Sequence, residues 1–150
     1  MKYLHPKKIQ FRIPISEDFM LIQQLLMVSN LPFSDIDPAN QHFIIAEYDG
    51  EMIGCVGFEA YGQDGLFRSL AVNPDYRNLG IGKLLTDEMM ELARGRGIGK
   101  FYLLTTTAEA FFTKHGWNVT DRELVPVAIS NTTEFKSICP SSAICMLNHL

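Results

Sequence analysis

The chain has 150 residues, 47% of them apolar and 20% charged in mixed sign, which is enough for one full core and unlike a disordered segment. Its net charge of −4 and pI near 5.5 weigh against a nucleic acid or a membrane surface as the main partner, while leaving room for a small basic site. No run nears the roughly 18 apolar residues of a bilayer span, and the N-terminus has no secretory-type apolar run. Three widely spaced cysteines, Cys55, Cys139 and Cys145, suit a reducing compartment, so the expectation is a single cytoplasmic domain over 1–150.

Residues 8–14, KIQFRIP, alternate apolar and polar and stop at Pro14, as a strand does. Ser16 stands as the cap of a helix over 17–30, with Glu17 and Asp18 in its first turn. Phe19, Ile22, Leu25, Leu26 and Val28 make its apolar stripe. The segment LPFSDIDPANQ (31–41) reads as a loop or a short helix. HFIIAEY and MIGCVGFEAYG flank Asp49-Gly50, a hairpin signal, and QDG turns into the strand LFRSLAV. A long amphipathic helix follows, with Ile81, Leu84, Leu85, Met89, Leu92 and Ala93 on one face, and GRGIG ends it. KFYLLTTT is a further strand, AEAFFTKHGW a short helix with Gly116 near its C-cap, and short elements close the chain. Hairpin-linked strands followed by a strand–helix–strand crossover specify an α+β fold with a mixed sheet.

The sharpest local feature is NPDYRNLGIGKLL (73–85), which places two glycines where a helix begins. Glycine there is costly unless something approaches the backbone, and the free N–H groups of a helix start attract phosphate. Two common phosphate loops fail. A P-loop would need Gly at 77 and Ser or Thr at 84, where Arg77 and Leu84 stand. A dinucleotide fingerprint would need Gly or Ala at 85, which is Leu85.

SLAVNPDYRNLGIGKLL, joined to FYLLTTTAEAFFTKHGW further on, resembles the two motifs of the GNAT superfamily of N-acetyltransferases, in the right order and over essentially the whole chain. The resemblance implies the GNAT (acyl-CoA N-acyltransferase) fold, α+β, with a mixed, mostly antiparallel sheet of roughly six to seven strands flanked by helices. It implies acetyl-CoA as co-substrate, no metal, and direct transfer to a small-molecule amine in a ternary complex. Carried onto this sequence, Leu70, Ala71 and Val72 offer backbone contacts to the acetyl and pantetheine groups. Leu70 also offers a contact to the oxyanion. Arg77, Asn78, Leu79, Gly80, Ile81, Gly82 and Lys83 surround the diphosphate. Phe112, in the second motif, is also placed at the cofactor by the resemblance, and it stands where many relatives have a Tyr general acid, so that proton donor is missing. More narrowly, GFEAYGQDGLFRSLAV, FYLLTTTAE and TEFKSICPSSAICM resemble the arsenic-resistance N-acetyltransferases, kin of phosphinothricin acetyltransferases, with a C-terminal pattern similar to N-acetylglutamate synthases. That implies a glutamate-like acceptor or an analogue of the arsinothricin or phosphinothricin type. A polyamine, an aminoglycoside, a protein N-terminus, or a non-catalytic acetyl-CoA sensor are the alternatives.

An attacking amine must lose a proton, and Glu59 is the best-placed carboxylate, its plain alternative being a surface residue near a turn. Arg68 lies in an otherwise apolar strand and needs an acidic partner, either the acceptor's carboxylate or Glu59 itself. Thr105 and Thr106, with Thr107, fall beside the expected acceptor mouth, although strand propensity and capping also account for them. Cys139 and Cys145 read as packing residues and His115 as a solvated helix residue; Lys2, Lys7 and Lys8 read as a solvated tail. Relatives often dimerise, and the strand AICML could pair across a homodimer interface.

Overall fold

Residue 5 and residues 8–150 are described by a computed structural model; Lys2 and Lys7 lie outside them. Strands β1 (Gln10–Arg12), β2 (His42–Tyr48), β3 (Glu51–Tyr61), β4 (Asp64–Val72), β5 (Lys100–Thr105), β6 (Asn118–Val119) and β7 (Ile144–His149) form one sheet in the order β1-β2-β3-β4-β5-β7-β6. Only the β4–β5 pair is parallel. The helices are α1 (Phe19–Val28), α2 (Ile81–Gly95), α3 (Glu109–Lys114) and α4 (Val127–Ser130). The α+β mixed sheet has seven strands among the described residues, within the six to seven expected.

Local chemistry explains the turns. Asp49 and Gly50 take φ of +52° and +74°, the left-handed pair whose twist suits a two-residue hairpin. Tyr61 pairs with Asp64, so the second hairpin turns at Gly62-Gln63. Asp64 and Gly65, expected in that turn, instead begin β4. Helix α2 ends as expected: Gly97 is left-handed at +86°. Its N–H reaches Arg94 O at 3.1 Å and that of Ile98 reaches Ala93 O at 3.0 Å, which satisfies the last carbonyls.

Three expectations are corrected. Ser16 caps nothing; it opens a 3-10 turn, Ser16–Asp18. The entry to α1 is closed by Asp18, whose Oδ2 accepts the Ile15 N–H at 2.8 Å and pairs with Arg12. Hydrogen bonds from Arg12 hold the Asp18 carboxyl below its ordinary range. In the stripe of α1 only Ile22, Leu25 and Leu26 are buried, and Val28 is 62% exposed. On α2 the inward row is Ile81, Leu85, Met89 and Ala93, with Thr86 also buried; Leu84 is exposed and Leu92 half-buried. That row follows the i, i+4 ridge of the helix. It can approach the sheet because β3 carries Gly54, where a Cβ would lie 2.8 Å from Leu85 Cδ1 and 3.0 Å from Ala71 O. The segment AICML lies mostly in β7, paired with β5 on one side and β6 on the other, rather than at an open edge. Among the described residues no helix is long and apolar enough to cross a membrane.

Candidate active site

Strands β4 and β5 pair only at Asp64↔Lys100, Gly65↔Phe101 and Leu66↔Tyr102. Beyond Leu66 and Tyr102 both strands continue without pairing to each other. The paired end is tight, since a Cβ on Gly65 would sit 2.6 Å from Phe101 Cε1. Near the point of parting β4 is bulged: Gly57 pairs with Arg68 and Cys55 with Ala71, so Ser69 and Leu70 oppose one β3 residue. Ser69 takes φ of +61° to achieve this. A bulge re-aims the backbone it interrupts, and here it falls at Leu70. Two strands parted beside a bulge leave backbone polar groups that the sheet does not consume.

The chain then passes through Asn73, whose Oδ1 accepts the Asp75 N–H at 2.9 Å, and a 3-10 turn at Pro74–Tyr76. Asn78 and Gly80 are both left-handed, at +64° and +85°, and Gly80 is the N-cap of α2. The two glycines serve different ends. A Cβ on Gly80 would meet nothing within 4 Å, whereas one on Gly82 would meet Phe111 Cζ at 3.4 Å. Gly80 therefore supplies backbone conformation and open space, whereas a Cβ at Gly82 would make ordinary contact with Phe111 of α3. No acidic residue stands in the first turn of α2. The N–H groups of Ile81, Gly82 and Lys83 precede the first helical donor, Leu84 N–H, which bonds Gly80 O at 3.2 Å, and free N–H groups there have the polarity that suits a phosphate. Arg77 is exposed and braces the loop, its Nε–H donating to Val72 O at 3.1 Å. Lys83 pairs with Asp87 at 2.6 Å.

Below the bulge lies a buried charge cluster. Arg68 is 3% exposed. Its Nη1 donates to Asp35 Oδ2 at 2.6 Å and Glu59 Oε2 at 2.8 Å, and its Nη2 donates to Asp35 Oδ1 at 2.6 Å. Its Nε donates to Ser69 Oγ at 3.0 Å, across the bulge. Glu134 Oε2, on the π-helical turn Glu134–Ile138, stands 3.5 Å from Nη1. Glu59 is buried, not a surface residue. It also accepts from Tyr61 Oη at 2.5 Å and Gln41 Nε2 at 2.9 Å. Gln41 holds the loop before β2 through Asp35 O and the Asp37 N–H. Arg68 thus takes its acidic partners from the chain itself. Glu59 was within reach of sequence reasoning; Asp35 and Glu134 were missed, and the only signal for them was that a buried guanidinium demands acids.

The cluster perturbs its members. Burial pushes the Glu134 carboxyl up to about 7, against the pull of Arg68. Burial likewise raises the Tyr61 hydroxyl and takes the Cys139 thiol to about 12. For Arg68 burial opposes the charge, but the Asp35 hydrogen bonds and the carboxylates around it prevail and raise its pKa. Glu134 is therefore a carboxyl able to take or give a proton near neutrality.

The remaining candidates are scattered. Thr105 Oγ1 accepts the Ala108 N–H at 3.0 Å and so braces the start of α3, while Thr106 is exposed. Phe112 is buried and edge-on to Phe67 and Phe111, beside Trp117; it belongs to the core. His115 is half-buried against Phe111 rather than solvated. Cys55 and Cys145 are buried and Cys139 is half-buried. Among the described residues no three His, Cys, Asp or Glu side chains are grouped to hold a metal.

A sheet parted at a bulge and feeding a left-handed loop at a helix start defines an acyl-CoA-type architecture, and comparison with known proteins gives the family. Residues 39–119 match the acetyltransferase (GNAT) domain, and the chain belongs to that family. An N-acetylglutamate synthase from Neisseria gonorrhoeae, solved with coenzyme A and N-acetyl-glutamate, shares the fold at a TM-score of 0.80 and 21% identity, over 95% of this chain and 35% of that one. A Mycobacterium tuberculosis protein solved with CoA aligns at a TM-score of 0.76 and 21% identity, over 94% of this chain and 99% of that one. The amino-acid acetyltransferase of Shewanella oneidensis is 35% identical over 88 residues, which is 57% of this chain and 20% of that protein. The chain spans about a fifth of the length of such curated amino-acid acetyltransferases. Asp35 and Glu134 both lie outside the matched segment.

Proposed function

We propose that the protein transfers the acetyl group of acetyl-CoA to the amino group of a glutamate-like amino acid, its arsinothricin and phosphinothricin analogues included, in the cytoplasm. The observation that carries this reading is the parting of β4 and β5 beside the Ser69–Leu70 bulge, continuous in the chain with the left-handed loop at the acid-free start of α2. The diphosphate would lie on Leu79, Gly80, Ile81, Gly82 and Lys83, with Arg77 and Asn78 at its edge. Leu70, Ala71 and Val72 would hold the pantetheine and acetyl groups.

The unprotonated amine attacks the thioester carbonyl. A C–N bond forms, and the carbonyl oxygen becomes an oxyanion held by the backbone N–H at Leu70. The C–S bond then breaks, the amine proton passes to a base, and the thiolate takes a proton from water. Glu59 is the candidate base, with Arg68, Thr105 and Thr106 on the acceptor side. Phe112 offers no proton, so thiolate departure depends on positioning and on its own stability. The names of the Shewanella and Neisseria relatives support an amino acid as acceptor.

The test is thiol release from acetyl-CoA across glutamate, aspartate, phosphinothricin, its arsenic analogue, spermidine and an aminoglycoside. The expected result is turnover confined to the glutamate-like acceptors, at a kcat on the order of 1 s⁻¹ or above. Turnover on the cationic acceptors alone would overturn the acceptor class. Tight acetyl-CoA binding with silence across the panel would favour a sensor.

A further inference from the structure

We propose that Asp35 occupies, on Arg68, the place of the acceptor's carboxylate, and that displacing it is the step that selects carboxylate-bearing acceptors. This rests on the reading just given. The contact between the two side chains is bidentate, both oxygens at 2.6 Å from the two terminal nitrogens, the geometry in which a guanidinium takes any free carboxylate. An amino acid would meet Arg68 in the same way, but the seat is filled by a residue of the chain.

Of the three carboxylates, Asp35 is the exchangeable one. Glu59 is fixed by Tyr61 and Gln41 as well as by Arg68. Glu134 stands farther off, at 3.5 Å, and its side chain is only 5% exposed. Among the described residues the Asp35 carboxylate accepts hydrogen bonds from Arg68 alone, and its side chain is 13% exposed against 1% for Arg68. It comes from the irregular segment between α1 and β2, not from the sheet. Charge points the same way. Three carboxylates face one guanidinium, so the cluster lacks positive charge. A zwitterionic acceptor replaces the Asp35 carboxylate with its own and brings an ammonium to the surplus.

An internal competitor cuts apparent affinity to the fraction of time that the seat stands free. The experiment uses the full chain and Asp35→Asn, which keeps the shape and removes the charge. Two quantities are read: the KM for L-glutamate, and the equilibrium binding of glutarate, a dicarboxylate without an amine that cannot react. Both are expected to improve by about tenfold, the order of one charge-assisted contact freed from competition. Asp37→Asn, a loop charge with no contact to Arg68, is expected to leave both unchanged. A third readout needs no variant: with wild-type protein, saturating glutarate is expected to speed amide hydrogen exchange over 34–37 as Asp35 is released. Unchanged or weaker glutarate binding in Asp35→Asn overturns the inference. So does an equal gain in Asp37→Asn, or protection of 34–37 by glutarate. If wild-type protein transfers no acetyl group to any acceptor, the acetyltransferase reading falls, while glutarate binding and exchange still decide the role of Asp35.

Discussion

Arg68 keeps its charge out of water because carboxylates reach it from three other parts of the chain. Burying one guanidinium among three acids is not a way to gain stability, since desolvation consumes most of the attraction. The arrangement suits a site that must hold charge ready. Within it, burial raises the Glu134 carboxyl to about 7 from an ordinary 4.5. The folded protein holds that proton over a range where the unfolded chain has lost it. The contribution to stability is therefore complete below about 4.5 and is lost as pH rises to about 7. Glu134→Gln imitates the protonated form. It is expected to melt close to wild type at pH 5 and about 2–6 °C above it at pH 8. A gap that stays constant with pH in thermal melts would mean Glu134 is ionised throughout. That an acid must face Arg68 was legible from one charged residue in an apolar strand. Which acids do so was not, because Asp35 is 33 residues away and Glu134 lies in the last turn before β7; only the closed topology brings them together.

The elements nearest the site show why local signals carried so far. The hairpin turn at Asp49-Gly50, the Gly97 end of α2 and the glycine pair at 80 and 82 each rest on backbone chemistry that a few adjacent residues determine. The bulge does not. Ser69 at a left-handed φ leaves no mark in the sequence, because the extra residue is defined by pairing with β3. Val28 and Leu84 lie exposed, outside the buried arcs of α1 and α2, for a related reason: periodicity gives an apolar arc, and the sheet decides its edges. Gly80 separates conformation from packing. It needs φ of +85° but has free space around its Cβ position, so Gly80→Ala adds strain without a clash. The expected cost is about 1 kcal/mol, read as a melting temperature lower by about 2–4 °C. The KM for acetyl-CoA is expected to rise while that for the acceptor holds. An unaltered acetyl-CoA KM would take Gly80 out of the diphosphate site.

At the scale of the whole molecule, the sheet is continuous from β1 to β6 and yet opened along one line. β4 and β5 are joined through three residue pairs, and past them the two halves diverge. One half is the β1–β4 meander and the other is β5, β7 and β6. Besides those three pairs they are held together by core packing, through Phe67, Phe101, Phe112 and Trp117. A ligand seated in the parting would contact both halves at once, and the native state alone presents that seat. CoA without an acetyl group is enough to test this. At a hundredfold excess over its Kd it should add about 2.7 kcal/mol to the free energy of unfolding, or about 5–10 °C in melting temperature for a chain of this length. Because the seat exists only when both halves are docked, the transition should stay single and move as a whole. A shift confined to part of a biphasic melt would mean that CoA binds one half, and no shift at millimolar CoA would remove the parted strands as its site.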